Sequence, residues 1–198
     1  MVHAWAMSRP PSDSESFVVP SQQMRAVAPP MSTGDAAAQY DADQVDGAVT
    51  AIRVARLDER LDVIELQRRA SLANPGDRAA LLAHPEAVDT PAEQFAAGQV
   101  TVAEIEGTVL GFAAMIPRED GDIELDALFT EPSWWRQGIA RALVRHGAEQ
   151  ARLGGAKALY VIGNPHAEQF YLAEGFVPTG AANTEFGPAT AYVLRLIQ

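Results

Sequence analysis

Hydrophobic and polar positions follow regular patterns from Thr50 onward, and these patterns predict strands and helices in alternation. Short apolar or alternating runs bounded by Gly, Pro or Asp are typical of strands, whereas apolar positions three to four residues apart are typical of helices. The predicted strands cover residues 50–57, 99–107, 108–119, 121–130, 157–163 and 190–197. The predicted helices cover residues 58–74, 77–88, 138–153 and 165–174, and a Gly/Pro/Asn-rich loop is predicted over 178–188.

The order of these elements, β-α-α-β-β-β-α-β-α-β, predicts the fold class. Three consecutive strands form an antiparallel meander, which leads into a β-α-β unit with parallel strands. We therefore expect an α/β fold with a mixed, mostly antiparallel central sheet, one parallel pair and helices on both faces. Residues 49–198 are enough for one domain with its own hydrophobic core.

Residues 1–48 differ from the rest of the chain in composition. They are rich in Ala, Ser, Pro, Gln and Asp and keep no sustained strand or helix period. Such segments cannot bury enough apolar surface to offset the entropy of ordering. We predict a disordered or loosely packed N-terminal extension.

Charge and composition exclude several classes of function. A net charge of −11 argues against nucleic acid as a partner, because phosphate binding needs a basic surface. The chain has no cysteine, which excludes thiolate catalysis and cysteine-ligated metals, and its four histidines form no ligand pair at helical spacing. No apolar run approaches the roughly 18–20 residues of a membrane span, and the start lacks the pattern of a signal peptide. We expect a cytoplasmic protein without a metal or membrane partner.

The stretch 131–143, EPSWWRQGIARAL, is the first candidate for chemistry. Gly138 and Ala140 stand where a helix begins, and such small residues let an anion approach the unpaired backbone N–H groups of the first turn. Arg136 and Arg141 would add positive charge. These residues fit a diphosphate site, and they fit equally a helix start that packs closely on the sheet.

A second segment, NPHAEQFYLAEGF at residues 164–176, follows one strand later. Together the two segments closely resemble the GNAT superfamily of N-acetyltransferases. The first is similar to its acetyl-CoA motif, Q/R-x-x-G-x-G/A, except that Trp135 stands at the usual Gln or Arg. The second is similar to its N-x-x-A-x-x-F-Y-x-x-x-G-F segment, with matches at Asn164, Ala167, Phe170, Tyr171, Gly175 and Phe176.

The resemblance implies acetyl-CoA as co-substrate and a parallel strand pair that splays apart to receive it. Backbone groups of the strand before the helix would hold the pantetheine arm, and the turn would hold the diphosphate. Asn164 is also a good N-cap before Pro165, and both roles are compatible. The residues assigned to acetyl-CoA are Leu128, Phe129, Thr130, Arg136, Gln137, Gly138, Ile139, Ala140, Arg141 and Asn164.

The resemblance also implies direct acetyl transfer to an amine in a ternary complex, which needs a base for the amine and an acid for the leaving sulfur. Tyr171 matches the tyrosine that serves as acid in the superfamily. Glu124 is the candidate base, and strand alternation predicts Glu124 and Asp126 on one face, opposite Ile123, Leu125 and Phe129. A solvated polar face explains Glu124 as well, and Asp126 or a water chain could replace it as base.

We therefore predict an acyl-CoA-dependent N-acetyltransferase that acts on a small-molecule or peptide primary amine. The alternative is a catalytically idle acyl-CoA-binding or sensing domain on the same fold. The presence of Trp135 in place of the motif's Gln or Arg favours this alternative. A protein that works mainly through contacts of its N-terminal extension is a third class. The sequence identifies no particular acceptor and leaves a homodimer open.

Overall fold

A computed structural model of the 198-residue chain describes residues 51–85, 88–184 and 187–197, without the side chains at 76 and 80. The predicted N-terminal extension, 1–48, lies outside the described residues.

The described strands form one mixed sheet. In spatial order they run β1-β2-β3-β4-β5-β7-β6, and every neighbouring pair is antiparallel except β4 and β5. The predicted mostly antiparallel sheet with one parallel pair is confirmed. The strands are β1 (Ala51–Val54), β2 (Val100–Ile105), β3 (Thr108–Pro117), β4 (Ile123–Thr130), β5 (Ala158–Gly163), β6 (Val177–Thr184) and β7 (Gly187–Arg195).

Helices connect the strands at the predicted points, with one addition. The helices are α1 (Arg60–Ala73), α2 (Pro75–Ala83), α3 (Ala92–Ala96), α4 (Ile139–Leu153) and α5 (Glu168–Ala173). Pro75 starts α2 because a proline at the first helical position loses no hydrogen bond. The short helix α3 was not predicted from the sequence.

Two hydrophobic clusters lie on opposite faces of the sheet, which confirms the prediction of helices on both sides. The first cluster joins α4 and α5 to the sheet and includes Leu128, Leu143 and Tyr171. The second joins α1 and α3 to the sheet and includes Leu66 and Phe129. The two motif segments of the sequence therefore contribute to the core as well as to the candidate site.

The prediction of a loop over residues 178–188 was wrong, because β6 and the start of β7 occupy this segment. β6 is the edge strand, pairs only with β7 among the described strands, and is largely exposed. An exposed strand shows no apolar alternation, and Pro178 is tolerated there because an edge strand need not use every N–H. The register shifts between Pro178 and Gly180.

A β-bulge in β4 changes which side chains share a face. Met115 of β3 pairs with Leu125 and the preceding Ala114 pairs with Ala127, so Asp126 is the additional residue. The bulge resets the alternation, so Leu125 lies in the first cluster but Ala127 and Phe129 lie in the second. The predicted position of Phe129, opposite Glu124 and Asp126, was therefore wrong.

Candidate functional site

A gap opens in the middle of the sheet, where the two parallel strands separate. β4 and β5 pair only at Ile123 with Leu159 and at Glu124 with Tyr160. Beyond these two positions β4 continues to Thr130, paired with β3 but not with β5. The free edges expose backbone N–H and C=O groups that can bind an extended ligand much as another strand would.

The predicted backbone contacts for a pantetheine arm lie along this gap. Leu128, Phe129 and Thr130 follow the bulge on the free edge of β4. The side chains of Leu128 and Phe129 are completely buried in the two clusters, so only their backbone groups could serve a ligand.

A pocket of about 190 Å³ lies where β4 ends and α4 begins. Nine residues line the pocket: Thr130, Trp134, Trp135, Arg136, Gly138, Ile139, Ala140, Arg141 and Phe170. Six of them were predicted to bind the cofactor, and the other three, Trp134, Trp135 and Phe170, were not. The predicted residues Leu128, Phe129, Gln137 and Asn164 do not line the pocket.

Backbone conformation explains the glycine at the start of α4. Gly138 is the N-cap residue with φ of 84°, and no side chain caps the helix. Arg136 is also left-handed, with φ of 65°. Left-handed backbone suits glycine but is uncommon for a residue like arginine. The uncapped N–H groups of the first turn and the positive end of the helix dipole are thus available to an anion.

Trp135, which stands where the motif that the sequence resembles usually has Gln or Arg, makes a structural contact. Its indole Nε1–H donates a hydrogen bond to the carbonyl oxygen of Thr130, at 3.0 Å. The bond ties the last residue of β4 to the turn before α4. The neighbouring Trp134 packs against the first hydrophobic cluster.

An ion pair orients one of the basic side chains at the pocket. Arg141 Nε donates to Oε1 of Glu174 at 2.7 Å, and Arg145 lies 3.5 Å from the other carboxylate oxygen. The side chain of Glu174 is only 3 % exposed, although both arginines are mostly exposed. The carboxylate therefore fixes the guanidinium of Arg141 beside the helix start.

Asn164 caps the turn that leads into α5, as predicted. Its Oδ1 accepts a hydrogen bond from the backbone N–H of His166 at 2.8 Å, and Pro165 stands at the first position of the turn. Its Nδ2 donates to Oδ1 of Asp77 at 3.0 Å. Asp77 belongs to α2, so this bond joins segments that are far apart in sequence.

Tyr171 is completely buried in the first cluster. Its ring packs edge-on against Phe170 and Phe176 and lies 5.3 Å from the ring of Tyr192. The hydroxyl groups of Tyr171 and Tyr192 are both buried, and neither has a hydrogen-bond partner within the part of the chain that the structure describes. Buried polar groups usually have partners, so these two hydroxyls indicate a place where a ligand or water could bind.

Burial raises the pKa of Tyr171 well above its ordinary value, with smaller contributions from Tyr192 and from the charge of Asp77. The phenol therefore stays protonated near neutral pH, and the same burial makes it a weaker acid than a phenol in water.

Glu124 is the last residue of β4 that pairs with β5, at the closed end of the gap. Burial raises its pKa, the charge of Asp126 raises it further, and Arg118 opposes this, with Nη1 3.6 Å from Oε2. Its neighbours Ile123 and Leu125 pack in the first cluster, so Glu124 faces the opposite side of the sheet from Tyr171. The structure does not bring these two candidates into contact.

The sequence analysis missed Asp77 and Tyr192. Asp77 is 3 % exposed and accepts hydrogen bonds from Asn74 and Asn164. Tyr192 lies in the inner strand β7 and reaches Tyr171. Their local sequences are an ordinary helix start and an ordinary strand, and neither carried a signal.

Within the described residues, no His, Cys, Asp or Glu side chains group as metal ligands, and none of the described helices is long and apolar enough to cross a membrane.

Comparison with family models identifies the chain. The model of the acetyltransferase (GNAT) family matches residues 64–176, which is more than half of the sequence and includes both motif segments. The protein belongs to the GNAT acetyltransferase family.

Solved structures show the same fold at low sequence identity. The paia N-acetyltransferase of Thermoplasma acidophilum, in complex with coenzyme A, is 14% identical, covering 74% of this chain and 98% of its own, with a TM-score of 0.62. The yncA protein of Salmonella typhimurium, solved with its cofactor acetyl-CoA, is 19% identical over 75% of this chain and 95% of its own, at 0.59. The ribosomal-protein-S18-alanine N-acetyltransferase of Escherichia coli is 19% identical over 76% and 96%, at 0.58.

Proposed function

We propose that this GNAT acetyltransferase moves an acetyl group from acetyl-CoA directly to a primary amine in a ternary complex. The observation that carries the proposal is the gap between β4 and β5, whose open side lies between Thr130, beside the uncapped helix start at Gly138, and Gly163, against which the ring of Tyr171 packs. The gap offers backbone groups to an extended ligand, with an anion site beyond the end of β4 and a proton donor packed against the end of β5.

The chain's own residues fit acetyl-CoA. The diphosphate would accept hydrogen bonds from the N–H groups of Ile139, Ala140 and Arg141, with Arg136 and Arg141 as counter-charges. The free edge of β4 from Leu128 to Thr130 would pair with the amide groups of the pantetheine arm. The Asn164 amide is fixed by its bonds to His166 and Asp77, and it directly follows Gly163, the last residue of β5.

Acetyl-CoA supplies a thioester whose carbonyl carbon an amine can attack. Glu124 would take the proton that the amine loses, since a raised carboxyl pKa moves a base toward neutral pH. Because Glu124 faces the other side of the sheet, we expect this proton to travel through water. Tyr171 would donate its phenol proton to the departing sulfur and recover it from solvent. Asp126 is the second candidate for the base.

Two measurements test the proposal. Calorimetric titration should show acetyl-CoA binding to the full chain, with weaker binding of pantetheine fragments that lack the diphosphate. A panel of primary amines, peptides and polyamines, followed by release of free CoA thiol, should then identify acceptors. Binding without turnover on any acceptor would favour the idle acyl-CoA-binding domain, which the structural use of Trp135 would suit. Failure to bind acetyl-CoA would contradict both functions.

We further propose that catalysis takes place in residues 49–198, in the cytoplasm, and needs neither metal nor nucleic acid. The strongly acidic net charge of −11 supports an amine acceptor, which is a cation before it reacts.

A further inference from the structure

A hydrogen-bonded chain, buried at Asn74 and Asp77 and partly exposed at Asn164, connects α2 to the turn that leads into α5. α2 follows directly after α1, which packs on the second cluster, whereas α5 packs on the first. The chain runs from Asn74 through Asp77 to Asn164, and from Asn164 to the N–H of His166. It reaches Asn164, which directly follows β5, beyond the two positions where β5 pairs with β4.

The Asp77 carboxylate determines which way the Asn164 amide points. An asparagine side chain has one donating and one accepting end. Asp77 accepts from Nδ2, which leaves Oδ1 to accept from His166 and cap the turn before α5. Asp77 itself is held by Asn74 through its other oxygen, so both carboxylate oxygens are fixed.

We propose that Asp77 is a positioning residue for acetyl transfer, because it orients Asn164 and thereby the turn that sets Tyr171 in the gap. This inference rests on the proposed function. Charge-assisted hydrogen bonds such as the one between Asp77 and Asn164 are stronger than neutral ones, and this one joins a buried carboxylate to a partly buried amide. The charge of Asp77 also helps keep the Tyr171 phenol protonated.

The geometry allows a reciprocal exchange as a test. In Asp77→Asn alone, residue 77 keeps one acceptor oxygen for the two amide donors of Asn74 and Asn164. One of these donors then faces an NH₂ group instead of an acceptor. In Asn164→Asp alone, two carboxylates face each other. In the double variant Asp77→Asn/Asn164→Asp, the amide at 77 donates to the carboxylate at 164 and accepts from Asn74, while the carboxylate still accepts from His166. Every hydrogen bond of the chain is restored with one direction reversed.

We expect Asp77→Asn to lower kcat by about tenfold to a hundredfold, since small displacements of catalytic groups have effects of this size. The KM for acetyl-CoA should change less than about twofold, and the double variant should recover most of kcat. Asp89→Asn is the matched control: its exposed carboxylate pairs with Arg60, and its kcat should equal that of the unmodified chain.

Several outcomes would overturn the proposal. One is an unchanged kcat in folded Asp77→Asn, measured well below its melting temperature, and another is a double variant no better than the single ones. If Asp77→Asn does not fold, Asn164→Ala tests the same bond from its other end, and an unchanged kcat there is equally decisive. Absence of activity in the unmodified chain would instead contradict the proposed function itself.

Discussion

Gly163 provides the space that the ring of Tyr171 occupies. A Cβ atom built on Gly163 would overlap Cε2 of Tyr171, lie 2.9 Å from its Cδ2 and lie 3.2 Å from Cε2 of Tyr192. Cβ atoms do not approach other atoms this closely, so any side chain at 163 must displace the tyrosine. The last residue of β5 is therefore matched to the candidate acid.

Gly163→Ala should lower kcat by roughly tenfold or more, because the ring of Tyr171 must move, and overpacking should cost about 1–3 kcal/mol of stability. Steady-state kinetics and thermal melting measure the two effects. Gly180→Ala is the matched control, since a Cβ there meets no atom within 4 Å. Equal kcat in both variants would show that the position of the Tyr171 ring against Gly163 does not affect turnover.

Gly138→Ala should weaken acetyl-CoA binding, because it strains the left-handed residue on which the anion-binding turn depends. Gly155, at the other end of α4, has φ of 89° and open space around it, compared with 84° for Gly138. Gly155→Ala therefore introduces a similar strain, of about 1 kcal/mol, away from the pocket. Calorimetry should show weaker binding only for Gly138→Ala. Similar affinities in the two variants would contradict a diphosphate site at this turn.

Tyr171→Phe should lower kcat at least about tenfold, because it removes the proposed proton donor and keeps the packed ring. The KM for acetyl-CoA should change much less, since the lost interaction belongs mainly to the transition state. Tyr160→Phe, whose ring stacks with Arg118 instead, serves as control. Unchanged turnover of Tyr171→Phe, with chemistry shown to be rate-limiting, would leave Tyr171 as a packing residue.

The acid side of the pH–rate profile should report Glu124. A base must be ionised to accept a proton, and burial and the charge of Asp126 raise the pKa of Glu124. As the pH is lowered, activity should therefore be lost at a pH above the ordinary carboxyl pKa of about 4.3. Glu124→Gln should reduce kcat at every pH.

The charges of Asp126 and Arg118 shift the pKa of Glu124 in opposite directions. Asp126→Asn removes a repulsive charge and should move the acid limb to lower pH, whereas Arg118→Gln removes a favourable charge and should move it to higher pH. Loss of turnover in Asp126→Asn, with Glu124→Gln active, would make Asp126 the base.

A chain that begins at Val49 should fold and retain acetyl-CoA binding, because all the elements of the sheet and both clusters described above start at Ala51 or later. Its melting temperature should lie within a few degrees of that of the full chain. A large loss of thermal stability would show that residues 1–48 contribute to the core, and the domain boundary would have to move.

The sequence predicted those elements that bury a continuous apolar run or one face of a helix. The strands β2 to β5 contain runs of buried residues, because clusters cover both faces of the sheet, and α4 buries residues at helical spacing. The helix-start motif with the Phe-Tyr segment indicated the family. β6 was missed because an exposed edge strand has no buried face to produce a pattern. The short α3 carries only one buried residue, Phe95, which gives no periodicity.

Other features depend on contacts between distant residues, which a local pattern does not contain. The bulge at Asp126 exists because β3 and β4 pair in different registers at their two ends. The bond between Asp77 and Asn164 spans 87 residues of sequence. Tyr192 appears in sequence as an ordinary strand residue, and only packing brings it to Tyr171.

The brief pairing between β4 and β5 also has a consequence for the order of folding. Strands β1 to β4 hydrogen-bond among themselves, as do β5 to β7, and two residue pairs join the two sets. Because synthesis proceeds from the N-terminus, the first set is complete before the second. We expect the space for acetyl-CoA to form only when the second set docks, so that the ability to bind it is the last property the nascent chain acquires.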